Sequence, residues 1–108
     1  MEKFLGKIRE VQFGHGGYQD AMIGISFDLE SGNIGVSDFW GYWSMKHDNK
    51  MKWSESDRIN HLGKMCMRIN KLLEEAKVST VDELKNKPVE FTTENNSLKS
   101  WRILTEVL

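Results

Sequence analysis

The residues best placed for chemistry near the start of this chain fall in one loop, GHGGYQD at 14–20. Three glycines there permit positive φ and expose backbone N–H groups. Such a backbone can cradle an anion, with His15, Tyr18 and Asp20 as polar contacts beside Gly16 and Gly17. The plainer reading is a glycine-rich hairpin loop, because no helix N-terminus follows to add its dipole. His15 and Asp20 could also act as base and orienter. No Ser or Cys stands beside them in an activating motif, so a small hydrolase is the weaker reading.

A second concentration of useful side chains is aromatic: Phe39, Trp40, Tyr42, Trp43 and Trp53. Strand alternation sends Trp40 and Trp43 to opposite faces, and one covering helix can bury only one of them. Exposed rings suit a protein interface or a stacking platform for bases. The alternative is that they fill the core and pack down the 44–53 loop. The run from Lys46 to Lys52 could touch phosphates, although such runs are more often solvated loops.

Other chemistries find little support. The histidines His15, His47 and His61 lack metal-ligand spacing, so no metal and no cofactor is expected. Asp20 and Asp38 are available carboxylates, but nothing in their spacing sets them around a substrate. The single cysteine, Cys66, excludes an intrachain disulfide and points to a reducing, cytoplasmic setting. It falls in an apolar helical stripe and reads as an inert core thiol. His61 lies beside that stripe as a boundary residue. There is no P-loop, HExxH, CxxC, GxSxG or GxGxxG. The opening MEKFLGKIRE reads as neither signal nor transit peptide, and no run is long and apolar enough to span a bilayer.

These residues must be positioned by a chain whose periodicity changes near residue 54. Residues 4–13 read as a strand with a bulge near Gly6 or Arg9. Residues 21–29 alternate cleanly, with Ala21, Ile23, Ile25, Phe27 and Leu29 on one face. Ser31-Gly32-Asn33 is a hairpin turn, and 34–43 returns as a third strand, completing a meander. Ser54 with Asp57 opens an amphipathic helix over 55–77. Its expected core stripe is Ile59, Leu62, Cys66, Ile69, Leu73 and Ala76, widened by Met65 and Leu72. Gly63 within it suggests a close approach of the sheet. Thr80 and Glu83 open a short second helix, Pro88 stops it, and 89–93 and 98–107 form a final hairpin.

The chain's 108 residues provide one domain. The expected class is α+β: an antiparallel sheet of about five strands in the order β-β-β-α-α-β-β, with one long helix packed on one face. Fifteen basic against sixteen acidic residues leave a net charge of −1, which does not favour broad nucleic-acid binding. The segments FGHGGYQDAMIGISF, SDFWGYW and KPVEFTTENNSLKSWRILTEVL resemble small uncharacterised proteins of bacteriophages and prophages. That resemblance implies a small accessory protein that binds and blocks a bacterial host factor or sequesters a ligand. The expected function is therefore a non-enzymatic protein-binding module. The alternative is a nucleotide or single-strand nucleic-acid binder. The expected site is His15, Gly16, Gly17, Tyr18, Asp20, Trp40 and Trp43.

Overall fold

The computed structural model describes residues 1–45 and 50–108. Five strands and one long helix follow in order: β1 (Glu2–Gly16), β2 (Met22–Ser31), β3 (Ile34–Trp43), α1 (Glu55–Ala76), β4 (Pro88–Glu94) and β5 (Ser97–Ile103). All pairings are antiparallel, in the order β3-β2-β1-β4-β5. The α+β class and the N-terminal meander are as expected, and the bulge falls between Ile8 and Glu10. No helix among the described residues is long and apolar enough to cross a membrane.

The long first strand joins two hairpins set out of step. Its start, Glu2–Lys7, pairs with β4, whereas Lys7–Gly16 pairs with β2. The bulge at Arg9 lies just beyond the overlap and adds local twist. The sheet curls so far that its two edge strands meet. Trp40 of β3 stacks on Trp101 of β5 with centroids 5.7 Å apart, and Phe27 packs on both rings at 4.7 and 4.9 Å.

The helix lies against β3 and β5, over this junction, instead of along the middle of the sheet. It starts where expected. Ser54 Oγ accepts from Asp57 N, and Asp57 Oδ2 accepts from Ser54 N, each at 3.0 Å. The Ser54 backbone and hydroxyl hold the Asp57 carboxyl below its ordinary pKa. Lys77, left-handed at φ 59°, ends the helix, and Val78 N closes on Leu73 O at 3.1 Å.

The core-facing stripe is rotated from the expected one. Met65, Leu72 and Ala76 are buried, while Leu62, Ile69 and Leu73 pack at its margin. Ile59 is 63% exposed and Cys66 is also exposed, so neither belongs to the core. The reason is the narrow seat at the β3–β5 junction, which covers only part of a wide apolar arc. Gly63 does not mark a close approach of the sheet either, because a Cβ there would meet no atom within 4 Å. Its cost to the helix, about 1 kcal/mol against alanine, is not offset by a contact within the fold. Leu72→Ala should therefore cost about 2 kcal/mol, and Ile59→Ala no more than about 0.5 kcal/mol. Urea melts of the two variants check this; equal losses would contradict the rotated stripe.

Two later segments differ from expectation. Thr80 Oγ1 donates to the Glu83 carboxylate at 3.1 Å instead of capping a backbone N–H, and only a 3-10 turn, Val81–Leu84, forms. The last strand ends at Ile103. Leu104 N donates to Pro88 O at 2.9 Å, after which Thr105–Val107 turns as a 3-10 segment. Arg102 grips Glu106 with two bonds of 3.0 Å, holding that turn back against β5.

Candidate functional site

Alternation along β1, β2 and β3 gives the meander an inner face toward α1 and an outer face away from it. Ile25, Phe27, Leu29 and Trp40 are buried on the inner face. The outer face divides into two zones. Toward the Ser31–Asn33 turn it carries paired charges: Arg9 lies 3.2 Å from Asp28, Lys7 lies 3.6 Å from Glu30, and Ser37 Oγ donates to Asp28 at 2.8 Å.

Toward the 14–20 loop the charges stop and glycines begin. Gly14 pairs with Gly24, and Gly24 with Gly41, so one rung across three strands has no side chain. The next rung is Gln12, Ser26 and Phe39. The Phe39 ring lies back over the sheet; Cβ atoms at Gly41 and Gly16 would sit 2.7 and 3.1 Å from it. The result is an open groove of about 790 Å³, floored by Gly14, Gly16 and Gly24 and walled by Gln12, Ser26, Ser37 and Phe39. His15 and Asp38 also contribute to its lining.

The loop at the groove's end is ordered by its own backbone. Gly17 has φ 68°, which suits glycine, and it sits over the Met22 side chain. Asp20 N donates to Gly17 O at 3.3 Å and Ala21 N to Tyr18 O at 3.0 Å, forming a 3-10 turn over Tyr18–Asp20. Those two N–H groups therefore point into the turn, which weakens the reading of an anion cradle. Gln19 and Asp20 are also left-handed, at φ 51° and 55°. Strained residues of this kind gather at functional surfaces.

The expected site residues separate. Gly16 and Gly17 line the groove, and Tyr18, 67% exposed, stands at its end with Asp20. The 39–43 segment finishes at the same end of the sheet, with Ser44 N donating to Ala21 O at 2.9 Å. His15 also lines the groove, although alternation along β1 sends its side chain toward the other face. No hydrogen bond joins it to Asp20 among the described residues.

Trp40 is not a surface ring. It is 8% exposed, lies in the core and carries the Arg68 guanidinium 4.0 Å over its ring. Trp43 stacks on Trp53 at 6.3 Å, while Tyr42 stacks on His61 at 4.1 Å. This cluster packs the end of β3 against the first turns of α1. Of the Lys46–Lys52 run that could touch phosphates, Lys46, His47, Asp48 and Asn49 lie outside the described residues. Among the described residues no three His, Cys, Asp or Glu side chains gather to hold a metal.

Sequence reasoning offered Phe39 as a candidate binding ring but missed Gln12, Ser26 and Ser37 as groove walls, and Gly24 as part of its floor. The signal was present: register through the two hairpins places Gly14, Gly24 and Gly41 on one rung. It also missed Asp38, whose carboxylate accepts from Trp40 Nε1 at 2.9 Å, Trp101 Nε1 at 2.8 Å and Phe39 N at 2.9 Å. Asp38 thus clasps the two edges of the sheet and is not paired with Asp20 for chemistry. Comparison with protein-family models, curated proteins and solved structures finds no match to this chain.

Proposed function

We propose that the chain is a protein-binding module that takes an extended segment of its partner along β1, with side chains of that segment entering the glycine-floored groove. The observation that carries this reading is the edge of β1 beyond Ile8, where backbone pairing on the β4 side stops among the described residues. Ile8 is the last residue with a backbone bond on that side, donating to Lys87 O at 3.0 Å and accepting from Asn86 N at 2.7 Å; beyond it Glu10 ion-pairs with Lys85 at 3.6 Å and the Val81–Leu84 turn packs near β1. From Glu10 to Gly16, β1 pairs only with β2 among the described residues. Alternate residues of such an edge offer N–H and C=O groups to an added strand. Natural edges are commonly blocked by charge or proline. Here Val11–Gly16 has neither, and Phe13 stands 55% exposed beside it.

A groove lined mainly by glycine and neutral side chains, with Asp38 as its one acid and no lysine or arginine, suits peptide backbone and neutral side chains better than phosphate. The rings that sequence analysis offered to bases are largely spent on one another. The phage-like segments make a bacterial host factor the natural partner to seek.

The test is capture from a bacterial lysate by the tagged chain and by its Gly14→Val variant. Val adds volume to an open floor and suits a strand. The expected result is one stoichiometric protein on the wild-type chain, reduced at least about tenfold on the variant, with little salt dependence. Amide exchange at residues 10–16 should slow in the captured complex. Equal capture by both chains, or co-purified nucleotide in place of protein, would overturn the reading.

A further inference from the structure

The seam where α1 crosses β5 holds a second cavity, of about 180 Å³, apart from the β1 groove. Its apolar walls are Leu72 from the helix and Trp101 and Ile103 from β5. Leu72 and Ile103 are buried and Trp101 is half-buried. Arg68, Lys71 and Glu75 stand along its rim, about a turn apart on one side of α1. Arg102 borders it as well, but its guanidinium is held by Glu90 at 3.3 Å and by Glu106 at 3.0 Å.

Two cations at this rim are unspent. Arg68 lies 4.0 Å over the Trp40 ring and makes no ion pair among the described residues. Lys71 makes none either, and nor does Lys64, a turn before Arg68. Glu75 follows Lys71 by four residues, the less favourable order for a helical pair, and closes no ion pair with it. Asp38, also in the seam, is taken by the two indoles and Phe39 N. Like charges a turn apart oppose the helix, and no ion pair in the described fold offsets Lys64, Arg68 and Lys71.

We propose that this cleft binds a small aromatic carboxylate, its ring between Leu72 and Trp101 and its carboxylate on Arg68 and Lys71. The size is right for one ring: an apolar cavity of about 150 Å³ takes a benzene molecule. Trp101 offers that ring an aromatic neighbour. An arginine stacked on an indole keeps its N–H fork open, and the fork matches a carboxylate with two parallel bonds. Inorganic phosphate fits less well. It gains nothing from the apolar walls, and its additional charge would meet Glu75. The site goes beyond the peptide-binding reading and stands on different elements.

Titration of the full chain with benzoate, followed by two-dimensional NMR, should shift the Trp101 indole N–H, which donates to Asp38 at 2.8 Å. The expected Kd is about 1 mM or below, within reach of so small a ligand. Benzamide keeps the ring without the charge, and inorganic phosphate keeps charge without the ring. Each should bind at least about tenfold more weakly than benzoate. Lys71→Gln and Arg68→Gln should each raise the benzoate Kd at least about fivefold. Lys71 is exposed and has no partner to lose, so its variant keeps the test decisive if Arg68→Gln disturbs Trp40. Absence of a saturable shift up to about 20 mM benzoate overturns the proposal. So does benzamide or phosphate binding as tightly as benzoate, or a Lys71→Gln chain that binds like wild type. Benzoate binding lost through Gly14→Val would place the ligand in the β1 groove and overturn it as well. Lysate capture reads the β1 groove and benzoate reads the α1–β5 cleft, so either proposal can fail while the other stands.

Discussion

Replacing Asp38 with alanine is expected to lower the unfolding free energy by about 3 kcal/mol, a large share of the roughly 5–15 kcal/mol typical of a domain. One carboxylate accepts two indole N–H groups and one backbone N–H, at 2.8–2.9 Å. Hydrogen bonds to a charged acceptor contribute about 1.5–3 kcal/mol each. Asp38 is only half-buried, so water can replace part of what is lost, and the sum is discounted accordingly. The two indoles come from opposite edges of the sheet, so the loss is also topological. Without the clasp, β5 and β3 are held together by the Trp40–Trp101 stack, by Phe27 packed on both rings, and by the helix. Asp38→Asn retains one acceptor oxygen and should cost less than Asp38→Ala. Denaturant melts followed by tryptophan fluorescence give both values. A loss under about 1 kcal/mol for the alanine variant would mean that stacking, and not the carboxylate, closes the sheet.

Much of the architecture is legible in local pattern. The Ile23–Leu29 alternation locates β2, the Ser31–Asn33 turn fixes the register to β3, and the Ser54–Asp57 capping box marks the first turn of α1 to the residue. What local pattern could not convey is curvature. Had the sheet been open and flat, α1 would have crossed its middle, and Ile59 and Cys66 would have been needed in the core. Because β3 and β5 meet, the helix sits on their junction, and those two residues fall outside it. The same curl draws Trp40 inward against Trp101 and turns Asp38 into a clasp. The 14–20 loop was identifiable from its glycines, but its partner surface was not, since the groove exists only once three strands are placed side by side.

Gly14 and Gly24 face each other on one rung, yet a single methyl group should have opposite effects at the two positions. At Gly24 a Cβ would stand 2.1 Å from Trp40 O and 2.6 Å from Gly41 Cα. Both are backbone atoms, so no rotamer can make room, and β3 would have to move away from β2. That movement would carry Asp38 and Trp40 with it. Gly24→Ala should therefore cost about 3 kcal/mol, at the upper end for overpacking. At Gly14 a Cβ meets nothing within 4 Å and φ is not positive. Gly14→Ala should gain about 0.5 kcal/mol by restricting the unfolded chain. A pair of urea melts reads the difference. If Gly14→Ala proved as damaging as Gly24→Ala, the glycine rung would be a packing device and the groove only its by-product. If the two diverge as expected, packing explains the glycine at 24 and leaves the one at 14 unexplained. A strand residue that folding leaves free to carry a side chain, on a stretch of β1 that pairs only with β2 among the described residues, is then accounted for by what lies on top of it.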